Sequence, residues 1–290
     1  MRPRLQVLLA AVCFGTTGTA QAIGPSASPV AVGSARIVLG GCLLVVIARV
    51  MGLRLPRASG SLLGIAVAVA IYQLSFFAAV RLTGVAVGTV VAIGTGPAAA
   101  GALGRLVNGE RLGARWALAT LCAGGGVVLL LGDGGGAVDP AGVALAVLAG
   151  LGYAGSTVLS KRLLVAGDAP EAVMAGGFGG AAVILAPVLV LAGPGFLAGA
   201  GGLAMTLYLG VIPTAVAYVL FSRGLREMSS GETATLVLAE PLTASALGLI
   251  VLGEHASVVA GAGAVLVLLG LVVVAAPRRR PAVAQPVAAA

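Results

Sequence analysis

Glu240 is the residue in this sequence best placed to do chemistry. It stands about eight residues inside an apolar run and is followed by Pro241. At 1.5 Å per residue that is roughly 12 Å along a helix. An ionised carboxylate at such depth in a membrane is costly unless it is paired. It could couple transport to protons or partner a substrate ammonium, or it could satisfy backbone groups freed by Pro241 and stay protonated in packing. Arg36 lies about six residues into another apolar run, roughly 9 Å deep. It could bind a substrate carboxylate, or snorkel outward and fix a helix, and the structural role is favoured. If both face one cavity, their difference in depth suits the two ends of a zwitterion better than a direct ion pair.

Other polar side chains recur at helical spacing: Thr17 with Gln21; Tyr153, Ser156, Thr157 and Ser160; Thr214, Tyr218 and Ser222. Such stripes face a wet cavity or a neighbouring helix. The hydroxyls fit either reading, because Ser and Thr can bond their own backbone, whereas the tyrosines point to a cavity. Tyr72 and Gln73 join them, since lipid cannot satisfy the hydrogen-bonding positions of Gln73. Pro97, Pro213 and Pro241 each remove a backbone donor in mid-run and mark kinks, either hinges or fixed bends. Glu110 and Glu254 sit at run borders, where capping or interfacial pairing is the natural role. The Gly-xxx-Gly pairs Gly60/Gly64, Gly84/Gly88 and Gly176/Gly180 read as close helix contacts, and none has the context of a phosphate-binding loop.

Several chemistries are excluded. His255 is the sole histidine, with no Ser, Cys or Asp at a recognisable spacing, and reads as interfacial. Cys13, Cys42 and Cys122 lie in apolar runs at no metal-ligand spacing, so neither a zinc site nor a disulfide framework is expected. No cofactor and no nucleotide-binding motif is expected, so direct ATP use is not either.

These side chains need elements to hold them, and composition says which. Of 290 residues, 59% are hydrophobic and 9% charged, with mean hydropathy +1.13. That is the composition of an all-α integral membrane protein with no room for a soluble catalytic domain. Apolar runs predict ten spans, near 5–23, 30–50, 61–80, 86–107, 114–131, 141–160, 171–192, 202–222, 233–252 and 257–275. The net charge of +8 and pI near 10.4 come from single basic residues between spans, so they signal topology rather than nucleic-acid binding. With the N-terminus in the cytoplasm, 15 of the 17 Lys and Arg fall inside, Arg81 falls outside and Arg36 lies within a span. Both termini are therefore expected in the cytoplasm, and Arg278-Arg279-Arg280 in the tail would contact anionic lipid. The excess of Arg over Lys and the 46 Gly point to a bacterial source, hence the inner membrane. Arg2-Pro3-Arg4, a short apolar run and Ala20-Gln21-Ala22 imitate a cleavable signal. Loss of that span would break the repeat described next, so retention is expected.

Pro97 and Pro241 are 144 residues apart, as are Gly109-Glu110 and Gly253-Glu254. At the same offset Thr89 matches Thr233, Ala102-Leu103-Gly104 matches Ala246-Leu247-Gly248, and Gly126 matches Gly270. Five spans per repeat is odd, so the second copy enters the membrane upside down. Inverted repeats of this kind rock about a central site to give alternating access. The expected units are residues 1–132, 140–276 and a tail at 277–290.

Three stretches make the pattern specific: Gly96-Pro97 to Gly109-Glu110-Arg111-Leu112, Arg223-Gly224-Leu225-Arg226-Glu227-Met228-Ser229, and Glu240-Pro241 to Gly253-Glu254. With two five-helix repeats they resemble the EamA-type drug/metabolite transporter superfamily over nearly the whole chain. The resemblance implies a central cavity lined mainly by helices 1, 3, 4, 6, 8 and 9, with helices 5 and 10 peripheral. It also implies transport of amino acids, other small metabolites or drugs, commonly outward. One departure is Phe14-Gly15, which lacks the Trp usual in the first helix and puts aromatic stacking there in question.

The expected function is thus a secondary transporter exporting a small metabolite such as an amino acid, driven by protons. Its partners are that substrate, protons and membrane lipids, and a homodimer is left open. Uptake or exchange remains an alternative, because topology does not set the direction of flux. A membrane enzyme or lipid-handling protein would need clustered acidic, His or Arg residues at one interface, which the sequence does not offer. A purely structural or assembly role leaves the mid-span polar residues without a purpose.

Overall fold

The computed structural model describes residues 2–131, 139–253 and 257–276; Glu254, His255 and Arg278-Arg279-Arg280 lie outside them. Among the described residues all regular structure is helical. The elements are α1 (Pro3–Ile23), α2 (Pro29–Val50), α3 (Gly60–Thr83), α4 (Val85–Asn108), α5 (Ala114–Leu131), α6 (Pro140–Val165) and α7 (Pro170–Ala192). A short 3₁₀ turn, Pro194–Ala198, leads to α8 (Ala200–Gly210), α9 (Ala217–Glu227), α10 (Ser230–Val237), α11 (Ala239–Val251) and α12 (Val258–Ala275). Nine stretches among the described residues are long and apolar enough to cross a membrane, and the shorter α5 is the tenth apolar helix. The protein is a multi-pass membrane protein.

Local chemistry starts and stops these helices. Proline opens α1, α2, α6 and α7, where its missing N–H costs nothing. Ser59, Asp139, Ser229 and Ser257 cap α3, α6, α10 and α12 by accepting backbone N–H groups of the first turn. Gly109 and Gly253 follow α4 and α11 at φ 65° and 70°, a left-handed conformation that favours glycine. The glycine of each Gly-Glu dipeptide is thereby explained.

Two crossings are irregular near Pro213 and Pro241, two of the three prolines that the sequence marks as kinks. In the eighth, α8 and α9 are joined by a π-helical segment, Val211–Val216, centred on Pro213. Proline cannot bond the Leu209 carbonyl one turn back, and the Thr214 hydroxyl donates to that carbonyl instead, at 2.8 Å. The ninth crossing is broken between α10 and α11 at Leu238, whose N–H donates to the Thr235 carbonyl in a tight three-residue turn. The break puts Pro241 in the first turn of α11, where a missing N–H is harmless. Its repeat partner Pro97 lies inside the unbroken α4, and Pro187 lies inside α7, a position the sequence reading did not single out.

Helix packing carries the repeat symmetry. α2 packs on α7 and α5 on α12, each a helix with its counterpart. α3 and α4 both pack on α6, as the eighth and ninth crossings pack on α1; the symmetry exchanges these two sets. α5 and α12 meet at the outside of the bundle through Gly126 and Gly270. A Cβ on Gly126 would lie 2.6 Å from the Val267 nitrogen, and one on Gly270 2.7 Å from the Ala119 carbonyl oxygen. Both contacts are to backbone, which cannot step aside. Gly126→Ala is therefore expected to destabilise by about 1–3 kcal/mol, the range for overpacking. Gly124→Ala, whose Cβ meets nothing within 4 Å, should be neutral. Thermal denaturation of the two variants in detergent checks the contrast.

Candidate functional site

Glu240 sits midway along the ninth crossing, Ser230–Val251, in the first turn of α11 just after the break. Leu238, which joins α10 to α11, keeps a helical φ of −61°, so the crossing is a helix interrupted for one residue just before the carboxylate. The side chain is half-buried and faces a cavity of about 40 Å³ lined by Tyr72 and Phe76 of α3, Ile93 and Pro97 of α4, and Tyr153 of α6, among others. Pro97 leaves the Ile93 carbonyl without its helical donor, at the cavity wall. Such a volume holds a water molecule or two but no amino acid, so a substrate enters only if the helices move apart.

Arg36 turns inward rather than snorkelling to the surface. Its Nη2 donates to Gln73 Oε1 at 3.4 Å, and its buried Nε has no hydrogen-bond partner. Gly33, one turn before it, makes room for this pair, because a Cβ there would fall 2.1 Å from Gln73 Nε2. Arg36 and Glu240 form no ion pair, yet both lie within electrostatic reach of Tyr72 and Tyr218. The Tyr153 hydroxyl is buried without a partner near the same carboxylate.

A line of rings joins these groups. Phe76 stacks on Tyr72 at 6.0 Å, and Tyr72 meets Tyr153 at 6.2 Å. Phe221 lies 6.4 Å from Tyr153 and 6.0 Å from Tyr218, which is packed between Phe178 at 4.1 Å and Phe14 at 4.9 Å. All but the closer Phe178–Tyr218 pair lie in the usual range for favourable aromatic pairs. Phe14 takes part although the first helix lacks a Trp. Next to it, Gly15 lets α1 approach the Glu240 carbonyl oxygen, 2.7 Å from where a Cβ would be. The sequence reading missed Phe76, Phe178 and Phe221, since the rings they meet lie mostly on other helices.

The structure therefore brings Glu240, Arg36, Tyr72, Gln73, Tyr153 and Tyr218 together, with Pro97 on the cavity wall and Pro213 and Pro241 at the two helix irregularities. Thr17 is half-buried in α1 and is not among the residues lining the cavity. The stripe hydroxyls mostly serve their own helices: Ser156 and Thr157 donate to the Tyr153 carbonyl and Ser222 to that of Val219.

A model of the "EamA-like transporter family" matches the chain twice, over residues 2–132 and 140–276. The chain belongs to the EamA-like transporter family. It is 41% identical to an uncharacterized transporter of Bacillus subtilis, YwfM, over 95% of each chain. It is 33% identical to an uncharacterized protein of Pseudomonas aeruginosa over 61% of this chain and 60% of that one. A protein of known crystal structure superposes with a TM-score of 0.82 at 21% identity, covering 95% of this chain and 97% of the other, which shows a shared fold. In this EamA-like transporter the cavity beside Glu240 is walled by crossings three, four, six and nine, while α5 and α12 pack on each other at the periphery.

The end of the bundle where α1 begins is tied by polar side chains. Glu171, buried in the first turn of α7, pairs with Arg223 of α9, whose Nε donates to it at 2.7 Å. Lys161 of α6 donates to the Leu225 and Arg226 carbonyls at the end of α9, at 2.9 and 2.8 Å. Glu171 was not legible as a partner, because it opens an apolar run exactly as an interfacial charge would.

Proposed function

We propose that this EamA-like transporter is a secondary active carrier of the bacterial inner membrane, with both termini in the cytoplasm, exporting a small zwitterionic metabolite such as an amino acid in exchange for protons. Residues 1–132 and 140–276 act as its two rocking units, and 277–290 as a cytoplasmic tail. The observation that carries this reading is the position of Glu240, a carboxylate in the first turn of α11 midway along the ninth crossing, beside a small cavity. Discontinuous helices at the midplane are how carriers present backbone groups and charge to a substrate.

The side chains divide the work. Glu240 takes the substrate ammonium, and Arg36 with Gln73 takes its carboxylate. The aromatic line covers the apolar remainder. Ammonium and proton compete for the same carboxylate, so each excludes the other, and the carrier crosses loaded with one or the other. That exclusion converts an inward proton gradient into outward substrate movement.

A flux panel in proteoliposomes tests the reading, using labelled amino acids, matched amines lacking the carboxylate, and matched acids lacking the ammonium. Zwitterions should move when a pH gradient is imposed, and removing either charge should abolish transport. Equal transport of amines and zwitterions would remove Arg36 from substrate recognition. No pH-driven flux of any compound by well-folded protein would count against the reading as a whole.

A further inference from the structure

Glu110 lies in the short link between α4 and α5, yet its carboxylate does not cap its own segment. Its Oε2 accepts the backbone N–H of Ser230 at 2.8 Å, and its Oε1 accepts the Ser230 hydroxyl at 2.8 Å. Ser230 is the first residue of α10 and is fully buried. One carboxylate of the first repeat thus clasps, with both oxygens, the first turn of a half-helix of the second. The surrounding residues are shaped for it. Gly109 turns the chain at φ 65°, and both Gly109 and Glu110 donate their N–H to the Gly104 carbonyl. Gly104 must lack a side chain, because a Cβ there would fall 2.5 Å from Glu110 Oε2.

The element held this way is the one that reaches the site. α10 is only eight residues long; Ala234 and Val237 of α10 and Leu238 at its end line the central cavity, and Glu240 follows across the break. The irregularity at Leu238 interrupts the helix between α10 and α11, the kind of site at which helices bend. Its other ties lie nearby: Thr235 shares a 2.8 Å hydrogen bond with Thr120 of α5, and Gly231 packs against the indole of Trp116.

We propose that Glu110 is a gating latch, a positioning residue that holds α10 against α4 and keeps the cavity sealed from the end of the bundle where α1 begins. Opening toward that side requires the carboxylate to release Ser230. The proposal rests on the alternating-access reading, so its test reads access rather than flux.

Val237→Cys is introduced into protein whose Cys13, Cys42 and Cys122 are replaced by Ala, and labelled with a membrane-impermeant maleimide in sealed vesicles of each orientation. With Glu110 intact, labelling from the α1-start side should be slow. Glu110→Ala should speed it from that side only, by at least about tenfold, the factor set by roughly 1.4 kcal/mol of lost hydrogen bonding. Ser230→Ala, which keeps the backbone N–H, should give a smaller change in the same direction, and Glu110→Asp should restore part of the protection. Unchanged labelling in both alanine variants would overturn the latch. Equal acceleration from both sides would overturn it too, by showing that Glu110 only stabilises the fold. Flux is not needed for any of these outcomes, so a failed latch and a failed transport mechanism remain separable.

Discussion

Glu240→Gln is expected to lose pH-driven flux by at least about 100-fold while its abundance in the membrane stays normal. Gln keeps the shape of the side chain and its place in the first turn of α11, so helix packing against Gly15 of α1 is undisturbed. What it loses is the ability to carry a proton or to neutralise an ammonium. An ammonium brought into the site would then be left unpaired, at a cost of about 3–5 kcal/mol, which is where the factor comes from. The substitution also discriminates between the two roles open from sequence. A glutamate that merely satisfies backbone groups at the break could be replaced by Gln, which has the same acceptor, with little effect on flux. Membrane abundance by immunoblot and monodispersity in detergent are the controls, and flux at several imposed pH gradients is the readout.

Arg36→Gln should raise the half-saturating substrate concentration by roughly 10–150-fold, the range for losing a charge-assisted hydrogen bond of about 1.5–3 kcal/mol. Arg36 has its Nε buried without a partner and only one long contact to Gln73, so its donors are available to a ligand carboxylate. Arg36→Lys should recover part of the affinity through charge alone, since an ammonium cannot present the planar fork of a guanidinium. Gln73→Leu should cost less than Arg36→Gln. Concentration dependence of substrate counterflow checks all three. If Arg36 were a packing residue, its loss would lower thermal stability and leave the half-saturating concentration unchanged.

Much of this architecture is written in the sequence. The offset of 144 residues links Pro97 to Pro241, Gly109-Glu110 to Gly253-Glu254 and Gly126 to Gly270, and the structure gives several of these pairs a physical reason. Gly126 and Gly270 are the points where α5 and α12 touch backbone, and Gly109 and Gly253 are left-handed helix ends. The proline pair shows where such reasoning stops. Both prolines remove a donor, but α4 runs on as one helix through Pro97 while the ninth crossing breaks at Leu238, three residues before Pro241. Hydropathy cannot separate these outcomes, because a half-helix and a whole one bury the same apolar side chains. At Pro213 the sequence marks the place of the irregularity but not its π-helical form. It depends on Thr214 replacing the missing donor, a contact set by one rotamer.

Side-chain partners were the least legible layer. Glu110 reads as a border residue suited to capping, and it does cap a helix, but the helix belongs to the other repeat and begins 120 residues later. The aromatic line from Phe76 to Phe14 draws on α3, α6, α9, α7 and α1, one or two rings from each, so no periodicity within a single helix announces it. For charge the sequence offers depth arithmetic, because a residue's distance along its helix sets its expected height. It expects Glu240 and Arg36 at different heights, and the structure has no ion pair between them.

Proton release on substrate binding tests the central claim most directly. Purified protein in weakly buffered detergent, held at a pH where the empty carrier is protonated at Glu240, is mixed with a zwitterion identified by the flux panel, and the pH change is followed with an indicator dye. The mechanism predicts about one proton released for each substrate bound by the wild type, because linkage requires the ammonium to displace the proton from the same carboxylate. It predicts none for Glu240→Gln. Substrate binding by the wild type with no proton release at any pH would contradict exchange at Glu240, and release undiminished in Glu240→Gln would move the coupling to another residue.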